Sequence, residues 1–520
     1  MKRVIPNIFI FFSVSVFGEV SWPQWRGPDR NGIGNTGHDK MLFLQEPTLL
    51  WDSETIPSQD DGGFGSVITD SQTAYVSLVW HRDVPTNTRI ISDLVLRKLG
   101  ARKVNLPNEV VEKAEKDRLS LSPRLRGAKM EEWINMWLNE NLDLRQKMTQ
   151  GEYLASRFRK GRLALPIELI NQLHSVKNRV FAGHLEFDQW LGSQDFTEQE
   201  VEKILQAVPP TKREADDVVV ALDINTGETL WKTSLPGSPS GRASSSTPCL
   251  HEDRMFIVGS NRIFCIETLT GRVLWEREIE LEGVASSPLL FEGLVIALVG
   301  NLRAYCMKSG ALVWENNEVK GRLASPIVWN FQGKRRIICN GTKKVFAVDP
   351  STGKTNWSGP GGGSSTPACR KNLLLVHAKN ESVGLIAFKA RGSSISELWR
   401  YPKVTRRADS SPLIYNGRAY LFGGGIRASF DIKTGEIIGK EVAKHEISSP
   451  VMLGNKIFAY EINGSFLQAL ETGQEEFLSS IYKFKINALR CSSPSLFGTK
   501  LLVRKIDRIS CYQLCNSDRN

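Results

Sequence analysis

Apolar and polar positions follow two different periods along this chain. In the second half, short apolar runs such as Cys249 to Ile257 and Leu289 to Val299 alternate with turn residues, which predicts short β-strands. Between residues 83 and 215 the apolar residues recur at helical spacing, for example at Leu169 and Leu173. The pattern therefore predicts a mostly β protein that is interrupted by one helical stretch.

A Ser-Pro element marks the start of each apolar unit. Its prolines recur at intervals of 38 to 45 residues, at Pro248, Pro288, Pro326, Pro367, Pro412, Pro450 and Pro494. A nearly fixed period of this length indicates a repeat architecture, with one sheet per repeat. Proline is tolerated at the first residue of a strand, and small serines suit inner strands that converge on an axis.

A turn and a tryptophan close most units. The phrase from Ala221 to Trp231 returns from Ala347 to Trp357. Asp or Asn followed by Gly predicts a tight hairpin whose glycine adopts positive φ. We expect each tryptophan to begin an outer strand and to fill the wedge between neighbouring sheets. Two later units lack this residue and carry Gly439 and Phe477 in its place.

These motifs resemble the PQQ-like (quinoprotein-type) propeller repeat, which BamB-like propellers and quinoprotein dehydrogenases share. The opening from Trp22 to Pro28 is also similar to secreted propeller proteins of planctomycete-type bacteria. The resemblance implies an all-β fold, an eight-bladed β-propeller of PQQ-like repeats with an α-helical insertion in the first blade. Seven units carry the Ser-Pro element, and an eighth begins near Ser66. The strand at Leu49 to Trp51 is expected to complete the last blade and so close the ring.

The predicted domain organisation follows from these patterns. Its segments are a signal peptide at 1–18, an N-terminal strand and the start of blade one at 19–82, a helical insertion at 83–215, the remaining blades at 216–514 and a tail at 515–520. Thr197 and Glu200 form a capping box that opens one helix. The basic run from Arg157 to Arg162 is interpreted as a solvated face, with a docking patch as the alternative.

The N-terminus carries an export signal. Lys2 and Arg3 precede a mostly apolar run from Val4 to Phe17, which is typical of a secretory signal peptide. A buried first strand is the alternative. The run is too short and too interrupted for a membrane span, and no cysteine follows it to accept a lipid anchor. We therefore predict a periplasmic or secreted protein.

The distribution of charged residues indicates which kind of partner the protein binds. The net charge is +11, but 67 basic residues are interleaved with 56 acidic ones over 520 residues. Such mixing favours a solvated basic surface over nucleic-acid binding.

The eight cysteines mostly lie in apolar runs, which predicts small buried thiols. Export would permit a disulfide, most readily between Cys511 and either Cys515 or Cys491. The chain has no Cys-x-x-Cys-His motif, which excludes covalent c-type haem, and no paired Cys/His pattern typical of zinc sites.

Basic residues precede several Ser-Pro elements by four to six positions. Equivalent positions in a repeat meet around one mouth of the ring, so these side chains would favour a carboxylate, a phosphate or an acidic partner surface. Solvated loop residues paired with local acids such as Asp409 are the alternative. The candidate residues are Arg242, Arg322, Arg406, Arg407, His445 and Arg490.

Two functions remain open from the sequence. The first is a secreted, non-catalytic propeller that acts as an assembly scaffold for an envelope or extracellular protein and uses no cofactor. The alternative is a PQQ-dependent oxidoreductase that binds its cofactor with calcium at the propeller axis. The resemblance implies an adjacent Cys-Cys pair in many such enzymes, and this chain has none. No catalytic, metal-binding or cofactor-binding residue can be assigned.

Overall fold

The structure is a computed structural model of the chain. It describes residues 21–34, 45–58, 62–101, 104, 106–122, 124–239, 246–280, 285–402, 409–423, 425–443, 448–470, 478 and 480–514. The predicted signal peptide and the tail at 515–520 lie outside these ranges, so both stay predictions. The chain divides into two compact units, one made of residues 1–81 and 215–520 and the other of residues 82–214.

The first unit consists of small sheets. Eight sheets of three to five strands occur in the described residues, and in each the strands that follow one another along the chain are neighbours. Sheets 7 and 8 have one further edge strand each, from residues 33–34 and 48–52. In chain order the strands are Ile68–Thr69, Thr73–Pro85, Thr211–Asp223 and Thr229–Pro236 in sheet 1; Cys249–His251, Arg254–Val258, Arg262–Glu267 and Val273–Glu278 in sheet 2; Leu289–Phe291, Leu294–Cys306 and Leu312–Gly321 in sheet 3; Ile327–Phe331, Lys334–Asn340, Lys344–Val348 and Thr355–Pro360 in sheet 4; Ala368–Arg370, Leu373–His377, Leu385–Arg391 and Ser394–Tyr401 in sheet 5; Leu413–Tyr415, Arg418–Gly423, Ile426–Asp431 and Ile437–Val442 in sheet 6; Ile33–Gly34, Val451–Leu453, Lys456–Tyr460, Ser465–Leu470 and Ser480–Lys485 in sheet 7; and Thr48–Asp52, Ser495–Phe497, Lys500–Arg504 and Ile509–Gln513 in sheet 8. The predominantly β architecture that the sequence predicted is confirmed.

The apolar core lies between the sheets rather than inside one large cavity. Separate clusters of buried side chains join each sheet to the next along the chain. A further cluster joins sheet 8 to sheet 1 and includes Trp51, Val218 and Ile509. Every sheet is therefore covered on both faces, which explains why its strands read as continuous apolar runs in the sequence.

Tryptophans connect neighbouring sheets by packing and hydrogen bonding. Each ring covers the turn glycine of the next sheet, and its indole N–H donates to a backbone carbonyl of that turn at 2.9 to 3.3 Å. The pairs are Trp51 with Gly227, Trp231 with Gly271, Trp275 with Gly310, Trp314 with Gly353 and Trp399 with Gly435. The predicted wedge-filling role of these rings is confirmed, and the positive φ at each glycine explains the Thr-Gly turn.

Hydroxyl groups of the Ser-Pro elements form a second set of links. At Ser66 and at the residue before six of the prolines, the backbone N–H donates to the Ser or Thr hydroxyl at the same position of the next sheet, at 2.8 to 3.1 Å. The donors are Ser66, Thr247, Ser287, Ser325, Thr366, Ser411 and Ser493, and the acceptors are Thr247, Ser287, Ser325, Thr366, Ser411, Ser449 and Ser66. Small size alone therefore does not explain this position, because each hydroxyl satisfies a buried donor.

The N-terminal strand of residues 48–52 belongs to the last sheet. It pairs antiparallel with Ile509–Gln513, so that Thr48 faces Gln513 and Leu49 faces Tyr512. This is the pairing that the sequence predicted. The strand covers the outer edge of sheet 8. It also supplies Trp51 to a sheet whose other strands, in residues 495–513, contain no tryptophan.

A buried carboxyl links sheet 1 to sheet 2. Asp217 is 2% exposed. It accepts a hydrogen bond from the backbone N–H of Ser260 at 2.7 Å and lies 3.7 Å from the guanidinium of Arg262. Burial outweighs these interactions and raises the pKa of Asp217 from 3.8 to about 6.

The raised pKa predicts a specific pH dependence. The folded protein holds a proton on Asp217 at a pH where the unfolded chain has lost it, so the free energy of unfolding should fall as pH rises from about 4 to about 6. A shift of about two pKa units corresponds to roughly 2 to 3 kcal/mol. In urea titrations at pH 4 to 7, the free energy of unfolding of Asp217→Asn should not show this decrease with pH. The control Asp216→Asn should show the same decrease as the parent protein. An unchanged pH dependence in Asp217→Asn would contradict the assignment.

The second unit is helical. Its helices are α1 (Asp93–Lys98), α2 (Asn108–Ser120), α3 (Ala128–Asn141), α4 (Leu144–Lys160), α5 (Ile167–Ser175), α6 (His184–Gly192) and α7 (Glu198–Ala207), with a 3-10 turn at Gly161–Leu163 and a two-stranded ribbon of Arg89–Ile90 and Val180–Phe181. The predicted capping box of Thr197 and Glu200 is present at the start of α7. No helix in the described ranges is long and apolar enough to cross a membrane.

The basic run at the end of α4 is not a uniformly solvated face. Arg157 is buried and donates to Glu115 and to the carbonyl of Leu165. Arg118 binds the same carboxylate, which holds the pKa of Glu115 below its ordinary value. Arg159 and Lys160 are exposed, as the sequence predicted. The burial of Arg157 could not be predicted, because a buried cation requires partners that the spacing of residues does not reveal.

Candidate functional site

A segment near the N-terminus crosses the ends of the sheets at which the Ser-Pro elements lie, which we call the Ser-Pro ends. We call residues Trp22–Gly34 the central segment. Trp22 exchanges backbone hydrogen bonds with Thr69 of sheet 1, and the carbonyl of Pro23 accepts from Leu250 N–H of sheet 2 at 2.8 Å. At its other end the segment pairs in parallel with Met452 and Leu453 of sheet 7. The segment is thus held by main-chain bonds at both ends.

Side chains of the central segment reach further sheets. The Trp25 indole N–H donates to the Ser493 hydroxyl of sheet 8 at 3.3 Å. Arg26 donates to the carbonyl of Pro412 of sheet 6 at 2.7 Å. Arg30 donates to the carbonyls of Ser287 and Pro288 of sheet 3. These backbone carbonyls lie where a strand begins, and the guanidinium donors satisfy them in place of a strand partner.

Both arginines are fully enclosed. Arg26 is 0% and Arg30 is 2% exposed, and no carboxylate of the described residues influences the charge of either. Burial, and secondarily the nearby charge of Arg30, lowers the pKa of Arg26 to about 9. Burial likewise lowers the pKa of Arg30 to about 10. Two cations without a buried counter-ion make the interior positively charged here.

The backbone of the central segment is tightly constrained. Arg26 and Arg30 adopt positive φ, at 62° and 54°, which costs energy for residues with a side chain. Gly32 also has positive φ, and a Cβ there would lie 2.5 Å from Leu413 and 2.6 Å from the guanidinium of Arg26. Such a conformation persists only because the surrounding sheets determine it.

A cavity of about 360 Å³ lies beside the central segment, against sheets 3, 4 and 5. Its lining includes the cationic residues Arg30, Arg370 and Lys371 and a single carboxylate, Asp29. The remaining lining residues are Gln24, Pro28, Asn31, Leu289, Leu290, Ile327, Val328, Trp329, Asn330, Pro367, Ala368 and Cys369. The cavity thus combines apolar walls with an excess of positive charge.

The walls on sheets 4 and 5 are held in place by hydrogen bonds. The Trp329 indole N–H donates to the carbonyl of Lys371 at 2.7 Å, and the Cys369 thiol donates to the carbonyl of Val328 at 3.3 Å. The guanidinium of Arg370 stacks over the ring of Tyr415 at 5.9 Å. The cavity is therefore a preformed feature of these sheets.

The buried thiols of this region are unreactive. Burial raises the pKa of Cys249 and of Cys369 to about 12, and it raises that of Cys339 further. Thiols with such values carry almost no thiolate at neutral pH. Seven cysteines lie in the described residues, and no disulfide joins Cys491 to Cys511, so the suggested bond between those two is not present. Cys515 lies outside the described residues.

The basic residues predicted to encircle the mouth are only partly described. Arg322 and Arg490 are exposed, and Arg490 stacks over the ring of Phe64 at 5.5 Å. The other four, Arg242, Arg406, Arg407 and His445, lie outside the described residues. Whether the six converge stays a prediction.

Sequence reasoning missed Arg26 and Arg30. Their segment was noted only for its likeness to secreted propeller proteins, and no role followed from it. The available signal was the pair of turn phrases Arg26-Gly27-Pro28 and Arg30-Asn31-Gly32 beside two tryptophans.

Comparison with known proteins identifies a family whose model matches this chain. A family model described as "Outer membrane protein assembly factor BamB" matches residues 215–301 and 299–490, more than half of the chain. Tetrathionate hydrolase of Acidithiobacillus ferrooxidans is 22% identical over 274 residues, which are 46% of this chain and 53% of that protein. The chain therefore spans about half the length of this curated relative.

Solved structures show distant likeness. BamB from Moraxella catarrhalis has 18% identity and a TM-score of 0.45, with 58% of this chain and 90% of that chain covered. Quinohemoprotein alcohol dehydrogenase from Comamonas testosteroni has 12% identity and a TM-score of 0.41, with 59% and 73% covered.

Proposed function

Because the chain belongs to the family described as outer membrane protein assembly factor BamB, we propose that it is an exported, non-catalytic PQQ-like propeller that serves as a scaffold for another protein of the cell envelope. In this proposal the eight sheets are the eight blades of one ring. Residues 82–214 are a helical insertion that leaves the ring after the second strand of the first blade and returns before the third. Family membership favours a role in assembly, although a propeller fold alone does not fix function.

The observation that carries the proposal is the central segment. Its main chain and the buried side chains of Trp22, Arg26 and Arg30 occupy the space at the Ser-Pro ends of the sheets. In an enzyme of this architecture that space would be given to cofactor and substrate. Here much of it is given to contacts that hold the sheets together, which favours the outer surfaces as the place where a partner binds.

The residues present do not suit the alternative, a PQQ-dependent oxidoreductase with calcium. Calcium prefers six to eight oxygen ligands with several carboxylates among them. The cavity offers Asp29 as its one carboxylate, next to three cationic side chains. Elsewhere in the described ranges no group of three or more His, Cys, Asp or Glu side chains could hold a metal ion. We therefore derive no catalytic step through this cofactor.

The partner surface is proposed to be the basic mouth formed by Arg242, Arg322, Arg406, Arg407, His445 and Arg490. Both members within the described residues, Arg322 and Arg490, are exposed. Positive charge at a mouth would steer an acidic partner and fix its orientation more than it would raise its affinity.

Titration calorimetry of the purified protein with PQQ, with and without Ca²⁺, separates the two functions. We expect no calcium-dependent binding, because the cavity lacks the carboxylates that would hold the ion. Calcium-dependent binding at micromolar Kd would overturn the scaffold proposal and support the oxidoreductase.

Charge reversal tests the partner surface. Cross-linking in the native envelope should identify a partner whose yield falls about tenfold or more in Arg322→Glu/Arg490→Glu. Arg391→Glu is the matched control, since Arg391 is exposed on a hairpin of sheet 5 and does not precede a Ser-Pro element. Equal loss of cross-links in the control would contradict the assigned surface.

A further inference from the structure

The basic run of the second unit ends in a turn that the scaffold role does not use. The 3-10 turn Gly161–Leu163 follows α4 directly, and with Lys160 we call it the basic turn. The side chain of Leu163 is 74% exposed, and Lys160 and Arg162 before it are exposed as well. A single exposed leucine is common on protein surfaces, so its surroundings decide whether it has a role.

The backbone carbonyls of the basic turn are bound by side chains of neighbouring helices. The carbonyl of Gly161 accepts a hydrogen bond from Arg118 of α2. The carbonyl of Leu163 accepts one from Lys203 of α7 at 3.3 Å. Carbonyls of an exposed turn ordinarily depend on water and lose that partner when an apolar phase covers them. Because these two have partners within the protein, the turn can be covered without leaving them unpaired.

The cations around Leu163 are not neutralised by neighbouring acids. Arg159, which precedes the basic turn, pairs with one carboxylate of α3 and one of α4. In contrast, Lys160, Arg162 and Lys203 form no ion pair with any carboxylate of the described residues. Three uncompensated positive charges therefore surround one exposed leucine, and they favour a covering surface that is anionic.

Two kinds of surface combine negative charge with an apolar layer, namely an anionic membrane and an acidic protein with an apolar pocket. A protein would need a pocket for one leucine and carboxylates placed opposite the cations. A bilayer needs no such fit, because phosphate groups overlie an apolar layer everywhere on it, and lysine and arginine can contact both. Leu119, which follows Arg118 in α2, is also exposed, at 47%, and adds apolar area. These features favour the membrane.

We infer that the basic turn docks on the surface of an anionic lipid membrane, with Leu163 among the headgroups and the three cations at the phosphates. Association through so small a surface is weak and reversible. The inference goes beyond the scaffold proposal and does not depend on it, because none of these residues belongs to the basic mouth.

Vesicle sedimentation with the mature protein tests the inference. The predicted signal peptide at 1–18 is removed, because its apolar run would itself bind lipid. At low ionic strength the protein should bind vesicles of phosphatidylcholine mixed with phosphatidylglycerol, and it should bind pure phosphatidylcholine far less. Leu163→Ser should lower the partition coefficient about tenfold. Lys160→Glu/Arg162→Glu should lower it about 20-fold or more, since each cation near an anionic surface contributes about a factor of five.

Two controls separate the basic turn from the rest of the surface. Leu144 at the start of α4 is 75% exposed, so Leu144→Ser removes an equally exposed leucine and should bind vesicles as the parent does. Arg322→Glu/Arg490→Glu changes the net charge as much as Lys160→Glu/Arg162→Glu does and should lower vesicle binding far less. All of the replaced residues are exposed, so the variants should fold as the parent does.

Four results would overturn the inference. These are no binding to the anionic vesicles, equal binding to pure phosphatidylcholine, equal losses in the two leucine variants, and equal losses in the two charge-reversal variants. An acidic peptide of Glu and Leu that binds more tightly than the vesicles and displaces them would assign the basic turn to a protein partner. That result would also overturn the inference.

Discussion

Replacing Trp22 by alanine is expected to lower the free energy of unfolding by about 3 to 5 kcal/mol. Trp22 is 2% exposed and packs among Val451, Leu453 and Leu496 of sheets 7 and 8. Its ring also supports the central segment, because the Cβ position of Gly34 lies 2.9 Å from it. Losing the ring leaves a cavity and frees the first turn of the segment, which urea denaturation and amide exchange of residues 22–34 would measure.

Two further variants isolate the cause. Trp22→Phe should cost much less, since it keeps an aromatic ring and removes an indole N–H that has no acceptor among the described residues. Trp25→Ala should also cost less, because Trp25 is only half-buried. A loss in Trp22→Ala no larger than in Trp25→Ala would show that the central segment contributes little to stability.

Gly310→Ala is expected to destabilise the protein by about 3 to 5 kcal/mol. Gly310 has φ of +70°, which costs about 1 to 2 kcal/mol for alanine. Its new Cβ would lie 2.4 Å from the Trp275 ring, so the ring must move and its hydrogen bond to Met307 is lost. Thermal and urea unfolding would measure the combined effect.

Gly392→Ala is the matched control for this substitution. Gly392 has φ of +59° and no atom within 4 Å of its Cβ position, so only the backbone cost of about 1 to 2 kcal/mol remains. In a Trp275→Ala background the cost of Gly310→Ala should fall to that of the control. If Gly310→Ala costs as much there as in the parent, the ring contact is not the cause.

Much of the fold could be predicted from the sequence because the same short motifs recur in successive repeats. The Ser-Pro elements, the Thr-Gly turns and the tryptophans lie where the pattern placed them, and Trp51 was correctly joined to the last sheet. Local turn chemistry and strand patterning agree at each of these positions, which is the condition under which pattern reasoning succeeds.

The central site was not readable in the same way. Arg26 and Arg30 carry a residue type that is normally exposed, and their burial depends on carbonyls that are more than 250 residues away in sequence. The same holds for Arg157, whose partner Glu115 lies on another helix. Spacing along the chain contains no information about such partners, so Arg157 was interpreted as part of a solvated face, and no role was assigned to Arg26 or Arg30.

The strand of residues 48–52 has a consequence for how the protein reaches its native state. Sheet 8 takes one strand from residues 48–52 and three from residues 495–513, so this sheet can be completed only after both of these distant segments have been synthesised. Closing so long a loop is entropically slow, and contacts this far apart in sequence delay folding. Until then the exposed edge and the apolar face of the last sheet are open to wrong pairing. The strand of residues 48–52 can therefore protect that edge only once these two distant segments meet.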